Sequence, residues 1–136
     1  MNTLSDSRIV AHPFRALAIT GVLATLAAMA ATTVAAALAR AAGVTFEVSA
    51  GETVPLAGIT TVTGFFSLVG VVLAAALLRW SAHPARRFVA TTTALTALSL
   101  IPPFLAGATA ATSFTLVALH LVAAAVMIPA LTRSLR

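Results

Sequence analysis

The chain has no cysteine, no lysine and only three acidic residues among its 136 positions. The missing cysteine excludes disulfides, thiol catalysis and thiolate metal sites. The shortage of charge excludes more. Charged residues make up 8% of the sequence, whereas ordinary soluble domains carry roughly 25%. Three acids and eight arginines cannot give a domain of this size a polar exterior. With 60% of residues hydrophobic, the solvent for most of the surface must be lipid. The net charge of +5 does not point to nucleic acid. The arginines form no single basic face, but punctuate the ends of apolar runs, which is the pattern of membrane-topology signals.

Four such runs are present. After a short polar lead, Met1 to Phe14, the first covers residues 16–39 and is closed by Arg40. At about 24 residues it is too long for the apolar region of a secretory signal, roughly 7–15 residues, and long enough to span, which takes about 20. It is read as a retained span. Its Gly21, Ala24, Thr25, Ala28 and Thr32 suit close helix packing. The second run, 56–78, contains Gly58, Gly64 and Gly70 at six-residue steps. That is not the spacing of a GxxxG face, but it allows close approach or bending. The third, 88–106, carries Pro102-Pro103 near its far end, where a missing backbone donor must kink or break a helix. The fourth, 113–131, has Pro129 near its exit.

Between the first two runs lies AAGVTFEVSAGETVP, the one substantial polar connection. Val44, Phe46 and Val48 alternate with Thr45, Glu47 and Ser49, which is strand periodicity, and Ser-Ala-Gly supplies a turn. A short β-hairpin or an ordered cap is expected. The expected fold class is therefore an all-α membrane protein, a four-helix transmembrane bundle forming one domain over residues 1–136. With four spans, Arg8, Arg15, Arg79, Arg86, Arg87, Arg133 and Arg136 fall on one side and only Arg40 on the other. The positive-inside rule then sets both termini and the middle loop in the cytoplasm of a plasma-membrane protein, with the Glu47/Glu52 loop outside.

Chemistry has few places to sit. From Phe88 to Thr132 the only ionisable residue is His120, inside the fourth run. An ionisable side chain within a span is a functional-site candidate by default. Placed about 10 Å below the outer helix end at 1.5 Å per residue, it could act as acid or base with Glu47 or Glu52, in a pocket bordered by Arg40, Pro102 and Pro103 whose proline break turns carbonyls inward. The plainer alternative is that His120 bonds a hydroxyl or carbonyl and fixes packing, while Glu47 and Glu52 are solvated loop residues or pair with Arg40. His12 and His83, each before a proline, read as turn residues. No HxxxH or ExxH pair occurs, so no metal and no cofactor is expected. Thr60-Thr61 and Thr91-Thr92-Thr93 read as packing residues that bond their own helices. A proton-coupled exporter would need a carboxylate in the first span, and a channel a polar stripe along one helix; neither is present.

The combination of GVTFEV, RWSAHPARR and LHLVAAAVMIPAL resembles the small four-span membrane proteins of unknown function common in actinobacteria. The resemblance implies the topology and carries over no catalytic residue. Two functional readings follow from the residues. The first is a non-catalytic accessory or lipid-interacting bundle that contacts membrane lipids and self-associates as a homo-oligomer. The second is a membrane enzyme of isomerase or cyclase type, or a binder of a lipophilic small molecule, built on His120 with Glu47 or Glu52.

Overall fold

A computed structural model of the protein describes residues 3–136, with side chains from His12 onward, Ala50 excepted. The side chains of Asp6 and Arg8 lie outside the described residues. Helix α1 spans Thr3–Ala41, α2 Leu56–Trp80, α3 Pro84–Ser99, α4 Pro102–Leu105 and α5 Ala110–Ser134. Four helical stretches are long and apolar enough to cross a membrane, the third being α3 and α4 together, Pro84–Leu105. The helices outrun the apolar runs at most ends. Membrane length is set by hydropathy, whereas a helix continues until a proline or a cap stops it.

Those stops are legible residue by residue. Pro55 is the N-cap of α2, with ψ of 153°. Pro84 stands in the first turn of α3, where its missing N–H costs nothing. At the far end Leu100 and Ile101 donate to the carbonyls of Ala97 and Leu98, at 3.3 and 3.2 Å. The helix tightens there because Pro102 and Pro103 cannot continue it, and both open the short α4 instead. Thr109 caps α5, its Oγ1 accepting from the Thr112 N–H at 3.2 Å.

The packing is up-and-down. α1 packs most extensively on α2 and α5, and α3 lies across from α1, making smaller contacts with α5 and α2. The α1–α2 seam is the closest. A Cβ at Gly21 would stand 2.8 Å from both Val71 methyls, and one at Gly64 2.8 Å from the Met29 sulfur. Thr32 Oγ1 is hydrogen-bonded with Thr63 Oγ1 at 3.2 Å, and Thr33 with Thr60. Two buried clusters fill the bundle. One, near the chain termini, gathers Leu17, Ala24, Ala28, Ala74, Phe88, Met127, Leu131 and Leu135. The other, under the α1–α2 loop, gathers Ala36, Phe46, Ile59 and Leu119.

No strand forms among the described residues. The alternation in the loop yields one isolated antiparallel bridge, Glu47 to Thr53, closed by a single 3-10 turn over Ser49–Gly51. The expected hairpin is therefore reduced to its minimum, and the ordered cap is the better description. The reason is Phe46. Its side chain is fully buried and its φ is +55°, a left-handed conformation uncommon for a bulky residue. Turning Phe46 down into the bundle breaks the extended path that a longer strand would need.

Candidate functional site

The loop sits as a lid on one end of the bundle. Val54 N–H donates to the Phe46 carbonyl at 3.0 Å and Val48 N–H to the Glu52 carbonyl at 2.8 Å. Ser49 N–H reaches across to the Ala106 carbonyl at 2.9 Å, tying the loop to the α4–α5 turn. Gly107 there has φ of +63°, and a Cβ on it would meet the Ser49 Cβ at 3.3 Å. Arg40 donates from Nη2 to the Val54 carbonyl at 3.1 Å and lies over the Phe46 ring, 5.7 Å from its centroid. A guanidinium in that position is attracted by the ring face. Arg40, Gly43, Val44, Thr45 and Thr53 line a shallow, open groove. Glu47 and Glu52 are both exposed.

The structure thus assembles Arg40, the Glu-bearing loop and the proline break at one end of the molecule. Pro103 is buried. Its carbonyl, in the last turn of the four-residue α4, accepts from the buried Ser113 Oγ at 2.9 Å. This is a joint between α4 and α5, not an inward-facing acceptor left open.

His120 has a different setting. Helix α5 begins at Ala110, three residues before the apolar run, so His120 stands ten residues in, or about 15 Å at 1.5 Å per residue. It is deeper than the run alone implies. Its Nδ1 lies 2.7 Å from the Leu116 carbonyl, one turn back on its own helix. A carbonyl only accepts, so Nδ1 carries the proton and donates, and in the neutral ring Nε2 is left as an acceptor. The ring is exposed, whereas Leu119, one position earlier, is buried in the Phe46 cluster. The stretch around His120 reaches the underside of the lid through Leu116 and Leu119, from which His120 is turned by about 40° and about 100° around the helix.

Among known proteins, one family matches residues 12–136. The chain belongs to DUF6069, a family of unknown function. Neither the curated proteins nor the solved structures give a match. Membership in DUF6069 supplies no catalytic or binding residue, so what the site can do rests on its own chemistry. The four apolar helices and the family together describe a multi-pass membrane protein of uncharacterised activity.

Two residues were not singled out by the sequence reading. Phe46 had a signal, as the only aromatic side chain between Phe14 and Phe65. An aromatic residue isolated in a polar loop is a candidate anchor. Ser113 had none, because a serine at a helix start reads as a cap, and Thr109 takes that role.

Proposed function

We propose that the protein is a non-catalytic, lipid-interacting accessory bundle of the plasma membrane, with both termini and the Arg79–Arg87 connection in the cytoplasm and the Phe46 lid outside. We take its source to be actinobacterial, in line with the motifs GVTFEV and RWSAHPARR. One observation carries the functional reading. Large apolar side chains stand exposed along every membrane-length helix, among them Leu23, Leu38, Phe66, Val72, Leu98 and Phe114, and only lipid or another apolar surface can cover them. The enzyme reading needs a carboxylate beside His120, whereas the one hydrogen bond of the ring goes to the Leu116 carbonyl of its own helix and Glu47 and Glu52 are exposed in the loop.

The test is purification in a mild detergent followed by mass spectrometry of the intact protein. Retained phospholipid, and a melting temperature that rises when phospholipid is added back, are expected. A protein that stays monodisperse in buffer without detergent would overturn the reading. Reporter fusions at the two ends check the orientation, and both should report the cytoplasmic side.

A further inference from the structure

Arg40 is held in place rather than loose in solvent. Its Nη2 donates to the Val54 carbonyl at 3.1 Å, and the guanidinium lies 5.7 Å from the centroid of the Phe46 ring, which is itself fully buried. A guanidinium carries five N–H donors in a planar fork. The Val54 bond engages one of them, and the others stay free for a further partner. Arg40 also lines the groove that Gly43, Val44, Thr45 and Thr53 complete, about 470 Å³ in volume. Gly43 has φ of +102° and no atom within 4 Å of where a Cβ would stand, so that wall is unobstructed.

The chain does not neutralise this groove itself. Neither Glu47 nor Glu52 lines it. The Glu47 carboxylate lies toward the 3-10 turn instead, its Oε1 3.8 Å from where a Cβ on Gly51 would stand. Thr45 Oγ1 accepts from the Glu47 N–H at 3.4 Å, which leaves its own proton to give. The carbonyl end of a helix repels an anion, but here those carbonyls are occupied. Leu38, Ala39 and Arg40 accept from the N–H groups of Ala42, Val44 and Gly43, at 2.9, 3.0 and 3.0 Å. Depth is set by the sequence. Arg40 directly follows the apolar run 16–39, about 36 Å long at 1.5 Å per residue. The hydrocarbon core is about 30 Å thick, and roughly 40–45 Å with its headgroups. Arg40 therefore stands at headgroup level.

We propose that the groove beside Arg40 is a headgroup site, holding the phosphodiester of a phospholipid from the lid-side leaflet. The non-bridging phosphate oxygens accept from the Arg40 guanidinium and the Thr45 hydroxyl, while the acyl chains stay in the bilayer. The groove selects the ligand by charge. A wall with one cation, two threonine hydroxyls and no carboxylate favours an anion that only accepts. A guanidinium–phosphate bond is roughly twice as strong as a neutral one and is directional, and a guanidinium already oriented by Val54 and Phe46 loses little freedom on binding. This inference deepens the lipid-interacting reading and rests on it: it names the group that is recognised and the residues that recognise it.

The probe is phosphatidylglycerol, added to the purified full chain in an uncharged maltoside detergent. Diacylglycerol with the same chains is the control without phosphate, and glycerol 3-phosphate the control without chains. The readout is the saturable rise in melting temperature and the Kd drawn from it. Binding of phosphatidylglycerol, and of neither control at the same concentration, is expected. Arg40→Gln should weaken it about tenfold or more. Arg79→Gln, at the end of α2 and outside the groove, should leave it unchanged. Because Arg40→Gln also loses the Val54 bond, Thr53→Glu supplies an independent arm. It sets a carboxylate into the groove wall, where it pairs with Arg40 in place of phosphate, and it should abolish binding while the Arg40 contacts with Val54 and Phe46 stay. Phosphatidylglycerol binding that survives either Arg40→Gln or Thr53→Glu overturns the headgroup site and leaves the general lipid reading standing. An equal response to diacylglycerol overturns recognition of phosphate, and an equal response to glycerol 3-phosphate makes this a soluble-anion site and overturns the lipid source. No response of the unmodified protein to any lipid overturns the general reading first.

Discussion

The α1–α2 seam and the α3–α5 seam are built from the same kinds of residue, glycine, alanine and threonine among larger aliphatics, and yet they behave oppositely. Along α1–α2 the small residues face each other's bulk. Gly21 receives Val71 and Gly64 receives Met29, so the backbones approach and threonines on the two helices bond across the gap. Along α3–α5 the hydroxyls of Thr92 and Ser99 turn back to their own helix, Phe88 is the buried residue that α3 adds to the cluster of Met127 and Leu131, and the Ser113 bond goes to α4. In lipid there is no hydrophobic force to draw two helices together, so packing and polar bonds decide which pairs close. A threonine whose hydroxyl bonds only within its own helix adds no polar bond between helices, whereas Thr60 bonds the Leu56 carbonyl and Thr33 as well. Composition is shared by the two seams; which partner each hydroxyl finds is what separates them.

The comparison is broken most severely at Phe88, the one buried residue within α3. A Phe→Ala change in a soluble core costs about 3–5 kcal/mol. With lipid as the competing solvent the transfer part falls away, leaving a packing loss on the order of 2–3 kcal/mol. Phe88→Ala should lower the denaturing SDS fraction for the whole bundle and raise labelling of a Thr96→Cys probe. Unchanged labelling would mean that α3 is held by something other than Phe88. Next in size is the α1–α2 approach. Gly21→Ala drives a methyl against the branched, stiff Val71 and should cost about 1–2 kcal/mol, within the usual overpacking range. Gly64→Ala meets only the flexible Met29 thioether and should cost less. The order of the two in SDS titration is the check, and the reverse order would mean that the seam relaxes by moving backbone rather than side chains.

The four-helix plan was legible because it depends on hydropathy and length, which survive any detail of packing. The lid was half legible. Alternation from Val44 to Ser49 announced order, but period two does not say whether Phe46 stays extended or swings into a left-handed turn. That choice was made by a cavity lined with Ala36, Ile59 and Leu119, three residues from three different helices. The site reading shows the limit most clearly. His120, Glu47, Glu52, Arg40, Pro102 and Pro103 were grouped by depth, and depth does bring the last five toward one end. Depth says nothing of azimuth. Leu119 and His120 share a depth, yet Leu119 lies in the lid's cluster and His120 is exposed, and no apolar sequence reveals which way a helix is rotated.

The smallest expected effect tests the polar half of the contrast. Thr60 Oγ1 donates to the Leu56 carbonyl at 3.0 Å, so its single proton is already engaged, and the hydrogen bond with Thr33 must be donated by Thr33. In Thr33→Val that donor disappears while Thr60 keeps its own bond, so no buried group is stranded. Interhelical bonds of this kind average about 0.6 kcal/mol, and Thr33→Val should cost about that much. A double-mutant cycle with Thr60→Val isolates the shared term. A coupling near 0.6 kcal/mol would fit a seam closed mainly by glycine and methyl contact, with hydroxyls as a minor addition. A coupling of about 2 kcal/mol, above the largest usually found between membrane helices, would invert that ranking and make the threonines, rather than Gly21 and Gly64, the reason α1 and α2 stand closer than α3 and α5.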